Sequence, residues 1–257
     1  MNAGVLIVDK KAGPTSFDVV RDVKRLYPGT KVGHAGSLDP FATGVLVVLL
    51  GKATRLSNLL LNADKSYRAR LKLGVSTDSM DVTGNPTQEM PVPELTEKQV
   101  ETVLKSFEGE WHQTPPMFSA KKIDGVRLYT LARQNIEVER EKIAVQLFTM
   151  KFISMDLPFI EFEVSCSKGT YIRALADEIG KKLGSVAHLT ELRRLSCGQF
   201  QLSESKTVDD LKGDLDDAYR SAYEHYVRLL SQEALVHRRG LDRSGAHSEF
   251  AFGKKGC

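Results

Sequence analysis

Cysteine is scarce in this chain. There are three, Cys166, Cys197 and Cys257, with no C-x-x-C pair among them. An odd, scattered set supports neither a disulfide framework nor a zinc ribbon. Long apolar runs are missing too. The longest, Val5–Val8 and Val45–Leu50, are far too short to span a bilayer. No basic stretch followed by a long apolar segment opens the chain, so no secretory leader is expected. The Asn-x-Thr triplet Asn85-Pro86-Thr87 is disqualified as a glycosylation acceptor by its proline. Charge of one sign is lacking as well: 36 Lys and Arg face 33 Asp and Glu, so net charge alone names no partner. These absences fit a cytoplasmic protein in a reducing compartment, with no membrane association.

What is present begins with a hydrophobic fraction of 41%, enough for one large domain with its own core and a small appendage. Charge is unevenly placed. Residues 1–60 carry eight Lys and Arg against four acids, whereas 201–217 carry six acids against two lysines. A polyanion would be drawn toward the N-terminal part.

Val5–Val8 reads as a buried strand, and Thr15 or Ser16 caps a helix to about Tyr27. Residues 29–44 read as a Gly-rich loop, followed by a second buried strand, Val45–Leu50, and a short helix over Thr54–Leu61. Tyr67–Leu73 alternates strictly, with Tyr67, Ala69, Leu71 and Leu73 on one face and Arg68, Arg70 and Lys72 on the other. Residues 74–93 read as a long loop. Thr96 and Gln99 form a capping box for a helix through Phe107. Trp111–Lys122 reads as irregular and Leu128–Arg133 as a helical turn. Glu161–Ser167 alternates again. Gly169-Thr170 ends that strand and caps a helix with Ile172, Leu175, Ile179 and Leu183 on its buried stripe, closed by Gly184. Strands and helices mix without regular β-α-β alternation, so the expected class is α+β with a mainly antiparallel sheet and flanking helices. Two long loops in such a domain suggest binding elements.

The segment Gly33-His34-Ala35-Gly36-Ser37-Leu38-Asp39-Pro40 holds the most distinctive chemistry. An isolated Asp-Pro usually only starts a turn. Here a carboxylate sits on a loop anchored by a buried strand, where functional side chains often lie. Gly51-Lys52-Ala53-Thr54 is no phosphate loop: the upstream glycine is missing, and Ala53 replaces the magnesium-binding hydroxyl.

Gly33–Leu46 as a whole resembles the catalytic motif of TruB-type pseudouridine synthases. Gly4–Lys10 with Gly13-Pro14-Thr15-Ser16 resembles that family's N-terminal motif. Asp64–Ala69, Ser167–Arg173 and Leu189–Leu195 resemble three more, and Pro115–Ala120 with Leu128–Arg133 its insert. The resemblance runs through residues 4–200 in unbroken order. Lys11 stands where the family usually has proline, and Ser37 where it has Thr or Ala; neither touches the implied catalytic set.

The resemblance implies a pseudouridine synthase fold with RNA-binding loops. It implies isomerisation of the T-loop uridine, position 55, of tRNA, flipped out of the folded RNA, with no cofactor and no metal. Asp39 is implied as the catalytic carboxylate, which stabilises or bonds the electron-poor sugar carbon or else attacks the uracil ring. One essential Asp in a water-excluding pocket suits isomerisation better than hydrolysis. Arg173 is implied as its partner; the alternative is an exposed Arg173–Asp177 pair at helical spacing. Tyr67 is implied to stack on the uracil and help move the C5 proton, and Leu192 to pack on its other side; both could be ordinary core. His34 is implied to fill the vacated space, or else makes local hydrogen bonds. Lys10 and Tyr171 are implied pocket supports.

The expected division is a catalytic domain over 1–217 and a short or degenerate PUA-like extension over 218–257. Within it, 218–232 reads as a helix with Tyr219, Ala222, Tyr226 and Leu229 on one side. His237, Arg238 and Arg239 could reach a phosphate. A monomer acting on the tRNA T arm without an obligate protein partner is expected. The alternatives are a subunit of an RNA-guided pseudouridine synthase and a non-catalytic tRNA-binding or folding module.

Overall fold

The computed structural model describes residues 3–119, 121–123, 125–134 and 136–243. Cys257, Ala120 and the side chains of Tyr219, His237, Arg238 and Arg239 lie outside what is described. Strand β1 (Ala3–Lys10) leads to helix α1 (Ser16–Leu26), which Thr15 caps in a reciprocal box with Asp18. The expected loop over 29–44 is broken by a short strand, β2 (Val32–His34). Strand β3 (Thr43–Gly51) follows, then a 3-10 turn (Lys52–Leu56) and helix α2 (Ser57–Leu61) in place of one helix.

After β4 (Lys65–Leu73), the expected loop over 74–93 contains a hairpin, β5 (Val75–Thr77) with β6 (Pro86–Glu89). Helix α3 (Glu97–Lys105) carries the Thr96–Gln99 capping box. Trp111 lies in a strand, β7 (Gly109–Gln113), not in irregular chain. Its ladder to the next long strand orders it. A two-stranded hairpin, β8 (Lys122–Ile123) and β9 (Val126–Arg127), precedes helix α4 (Leu128–Ala132). Then come β10 (Ile143–Asp156), β11 (Phe159–Cys166), α5 (Ile172–Lys182), β12 (Ala187–Cys197), β13 (Phe200–Gln201), α6 (Val208–Gly213) and α7 (Leu215–Arg243). The α5 cap is Tyr171, without a side-chain bond. Thr170, the expected cap, turns its hydroxyl back to the Ser167 carbonyl.

One mixed, mainly antiparallel sheet organises the molecule in the order β1-β3-β12-β4-β11-β10-β7, with a parallel join between β3 and β12. The apolar run of β3 is explained by burial on both faces. Leu46, Val48 and Leu50 enter the larger core with Leu6 and Val8; Val45, Val47 and Leu49 enter a second with Val5, Ile7 and Phe200. Strand β4 is one-sided: Tyr67, Ala69, Leu71 and Leu73 face the larger core. On its solvent side Arg68 pairs with Glu161 and Glu163, and Arg70 with Glu191.

Helix α7 packs along β1, burying Ala218, Ala222 and Leu229. The free edge of β1 would otherwise leave polar backbone open. His225 Nδ1 meets the Val5 carbonyl at 3.0 Å, and Lys206 exchanges backbone bonds with Ile7 and Asp9. Among the described residues no helix is long and apolar enough to cross a membrane.

Candidate active site

The loop ahead of β3 is held by side chains from four separate elements. From the end of β1, Lys10 is 1% exposed and donates to the carbonyls of Lys11, Pro40 and Ala42 at 3.0, 3.0 and 2.7 Å. From the first turn of α1, the buried Ser16 hydroxyl accepts from the Leu38 amide at 2.8 Å and donates to the Leu38 carbonyl at 3.2 Å. From β12, Arg194 donates to the carbonyls of Val45, Ser37 and Gly36. Gly44 is where loop and β12 touch. Its φ is +96°, and a Cβ there would lie 2.2 Å from the Arg194 carbonyl oxygen, so no side chain fits.

The fourth element, α5, reaches Asp39 itself. Arg173 Nε lies 2.9 Å from Asp39 Oδ2, and its Nη2 donates to Oδ1 at 3.3 Å. This is the paired, planar recognition that a guanidinium gives a carboxylate. The same guanidinium donates to the Phe118 carbonyl at 2.7 Å, the Ser79 carbonyl at 2.9 Å and Asp81 Oδ2 at 3.2 Å. The alternative Arg173–Asp177 pair does not form; Asp177 binds Lys181 at 2.7 Å.

The two carboxylates on Arg173 differ in access. The Asp81 side chain is 4% exposed and also accepts from Ser79 and from the amide and hydroxyl of Thr83. The Asp39 side chain is 37% exposed and open to a ligand. Asp39 is thus tied to the arginine yet accessible, while Asp81 is closed off against it. Burial pushes the Asp39 carboxyl above its ordinary range; the Arg173 guanidinium opposes this, Asp81 adds to it and Lys10 opposes it. Burial also draws the Lys10 ammonium down to about 8, against the pull of Asp39.

Tyr67 and Leu192 lie on the neighbouring strands β4 and β12, where Tyr67 pairs with Arg194 and Leu192 with Ala69. Both are 7% exposed and share a core cluster with Leu38. Burial pushes the Tyr67 phenol up to about 12, with Arg194 opposing. His34, on β2, is half-buried, and its Nδ1 has no partner among the described residues. Burial lowers its pKa, and the nearby Arg194 charge adds to the fall. The Tyr171 amide donates to Gln113 Oε1 at 2.9 Å, and Gln113 in turn donates to the Gly169 carbonyl at 2.7 Å, fixing the turn into α5.

The structure therefore brings Asp39, Arg173 and Lys10 together directly, and Tyr67 and Leu192 through adjacent strands. Tyr171 is tied in by its position at the head of α5, while His34 has no direct bond to the others. Sequence reasoning did not single out Asp81, Ser16, Arg194 or Gln113 as site residues. Ser16 and Arg194 carried a signal, since both fall inside motifs quoted above; Asp81 and Gln113 carried none.

An accessible carboxylate locked to a guanidinium on a braced loop defines a class when set on this sheet. The fold is that of pseudouridine synthases. The structure is similar to the Cbf5 chain in a crystal structure of a Cbf5-Nop10-Gar1 complex (TM-score 0.66, 31% identity, 86% of this chain and 59% of that one). It is also similar to a chain of an H/ACA RNP bound to a substrate RNA (TM-score 0.62, 30% identity, 85% and 58%). This chain spans about three fifths of each of those chains.

Residues 24–172 match the profile of the TruB family pseudouridylate synthase N-terminal domain, and 173–231 that of the tRNA pseudouridylate synthase B C-terminal domain. The chain belongs to the TruB family. Curated relatives called tRNA pseudouridine synthase B include those of Clostridium tetani (46% identical; 81% of this chain, 72% of that one) and Geobacter sulfurreducens (44%; 93% and 82%). That of Dechloromonas aromatica is 47% identical over 91% of this chain and 76% of its own. The junction of the two profiles, at 172/173, falls inside the single sheet, because β12 beyond it pairs with β3 and β4 before it.

Proposed function

We propose that this protein converts the T-loop uridine at position 55 of tRNA to pseudouridine without a cofactor. The observation that carries the reading is Asp39, solvent-accessible yet fixed to Arg173 on a braced loop, in a TruB-family chain. Asp39 stabilises or bonds the sugar carbon as the glycosidic bond breaks. Arg173 favours its ionised form against the desolvation of the closed site. Tyr67 stacks on the freed uracil and handles the C5 proton, Leu192 packs opposite, and His34 fills the space left by the flipped nucleotide. Lys10 and Tyr171 support the pocket. Asp81 is buried and engaged, so it is poorly placed to activate water, which suits isomerisation over hydrolysis.

The same reading divides the chain at 217/218, with the PUA-like extension beginning in α7. It has the protein acting in the cytoplasm as a monomer on the T arm. The Cbf5 likeness keeps a guide-dependent subunit as the second reading. The higher identity to tRNA pseudouridine synthase B relatives, 44–47% against 30–31%, favours independent action on tRNA. A non-catalytic tRNA-binding module would have no need to keep Asp39 and Arg173 paired. Unmodified tRNA incubated with the protein alone, without guide RNA, then mapped for pseudouridine, separates all three. Modification of uridine 55 is expected; none, with tight binding, points to the module, and rescue by a guide RNA to the subunit.

A further inference from the structure

Arg194 is 1% exposed, and a guanidinium does not shed its proton in a protein. Such a charge is strongly unfavourable in an interior without a compensating anion. Arg173, also buried, has two carboxylates. Among the described residues Arg194 has none. Its bonds at 2.6, 3.3 and 3.1 Å all run to carbonyl oxygens, those of Val45, Ser37 and Gly36. The buried lysines Lys10 and Lys65 are different in kind, because burial pulls both toward the neutral amine. A guanidinium has no such route to neutrality, so it would stabilise an anion formed on any neighbour that can ionise.

Tyr67 is such a neighbour. It stands directly opposite Arg194 in the β4–β12 ladder. The titratable groups facing it are Arg194 and Cys197 from β12 and Cys166 from β11. The Cys166 thiol is pushed up to about 11 by burial and stays neutral. The guanidinium is therefore the charge that acts on the phenol.

We propose that Arg194 is a positioning residue for proton transfer: from one buried point it fixes the Gly36–Ser37 segment that leads into Asp39 and stabilises Tyr67 as a phenolate. This rests on the reading that Tyr67 handles the C5 proton. Once uracil is rejoined to the sugar through C5, that carbon still bears its hydrogen. The phenolate oxygen takes this proton, and the C–H electron pair restores the ring double bond. The proton Tyr67 gave up on ionising passes to N1, so the net change is one proton moved from C5 to N1. Even with Arg194 opposing burial the phenol lies near 12, so the phenolate forms only as its proton passes to N1, and without the guanidinium it would be harder still to form. An adjacent cation typically lowers such a pKa by about one to three units.

The test combines Arg194→Gln, which keeps a donor for the carbonyls but removes the charge, with a fluorinated tyrosine of lower intrinsic pKa at position 67. Arg194→Gln is expected to slow single-turnover pseudouridine formation about a hundredfold, in line with a two-unit shift, while tRNA binding holds. By fluorine NMR the phenol is expected to titrate about one unit or more higher than with Arg194 present. The fluorinated tyrosine is expected to restore about tenfold of the lost rate. Arg194→Lys, which keeps the charge, is expected to return the titration close to its original pH. Equal titration in the Arg and Gln proteins, or no recovery while Tyr67→Phe is slow, overturns the role of Arg194. An undiminished rate in Tyr67→Phe removes the underlying reading of Tyr67 instead.

Discussion

The loop 33–44 and the segment 114–142, which holds the insert motifs, both touch Arg173, and they are built on opposite plans. The loop has little regular structure, yet Lys10, Ser16, Arg173 and Arg194 hold its backbone or its one carboxylate from four elements. Among its described residues the insert has nominal secondary structure: two strands of two residues and a helix of five. Among the described residues its bonds include several within itself, such as Tyr129 to Ser119 and Arg140 to Pro115, and the Phe118 carbonyl reaches out to Arg173. Secondary-structure content is thus a poor guide to which segment is fixed. Buried side chains reaching in from elsewhere decide it, and they gather where a reacting atom must be placed to within a fraction of an ångström.

Arg173→Met breaks the contrast most severely, because it removes the element that ties loop and insert together. It takes the guanidinium from both Asp39 and Asp81, leaving Asp39 only the charge of Lys10. Single-turnover rate is expected to fall on the order of a thousandfold, about 4 kcal/mol of barrier, with a smaller change in tRNA affinity.

Asp81→Asn comes next, with a loss on the order of tenfold as Arg173 loses its second anchor. Its pH signature separates it from a general packing defect. The raised pKa of Asp39 means that its carboxylate is lost as pH falls through a value above the ordinary 3.8. Asp81 contributes to that rise, so removing its charge should move the acid limb of the rate profile to lower pH. An unmoved or raised limb would contradict the coupling.

Ser16→Ala removes both bonds to Leu38. A drop in melting temperature equivalent to about 1–2 kcal/mol is expected, and kcat should fall several-fold at constant KM. On the insert side, Lys121→Ala or Lys122→Ala should leave kcat alone, weaken tRNA binding modestly, and lower the salt slope of binding by about one per residue if each meets a phosphate. A loss of kcat instead would show that the insert is as tightly involved in placing Asp39 as the loop is.

The sequence made β3 visible as an unbroken apolar run buried on both faces, and β4 visible because its burial follows the two-residue backbone period without interruption. The long β10 was invisible because bulges between Leu147 and Thr149, and between Phe152 and Ser154, break that period. Asp39, Tyr67 and Leu192 could be named because each sits in a recognisable motif. Arg173 looked from its helix alone like a surface residue, and only the resemblance pointed inward. Asp81 had no local mark. Its Thr77–Gly84 turn is as polar as any solvated turn, and it is buried because it bridges to Leu189, more than a hundred residues away. Long-range burial of this kind has no signature in a local window.

Asp39→Asn under single-turnover conditions, with enzyme in excess over unmodified tRNA and a position-resolved readout, tests the central claim most directly. The substitution keeps the shape of the side chain and removes its charge and its nucleophilicity. The native protein should convert uridine 55. The variant should bind the same tRNA with affinity within a few-fold yet be slower by several orders of magnitude. Conversion of uridine 55 by the variant at anything near the native rate would show that Asp39 is not the reacting carboxylate.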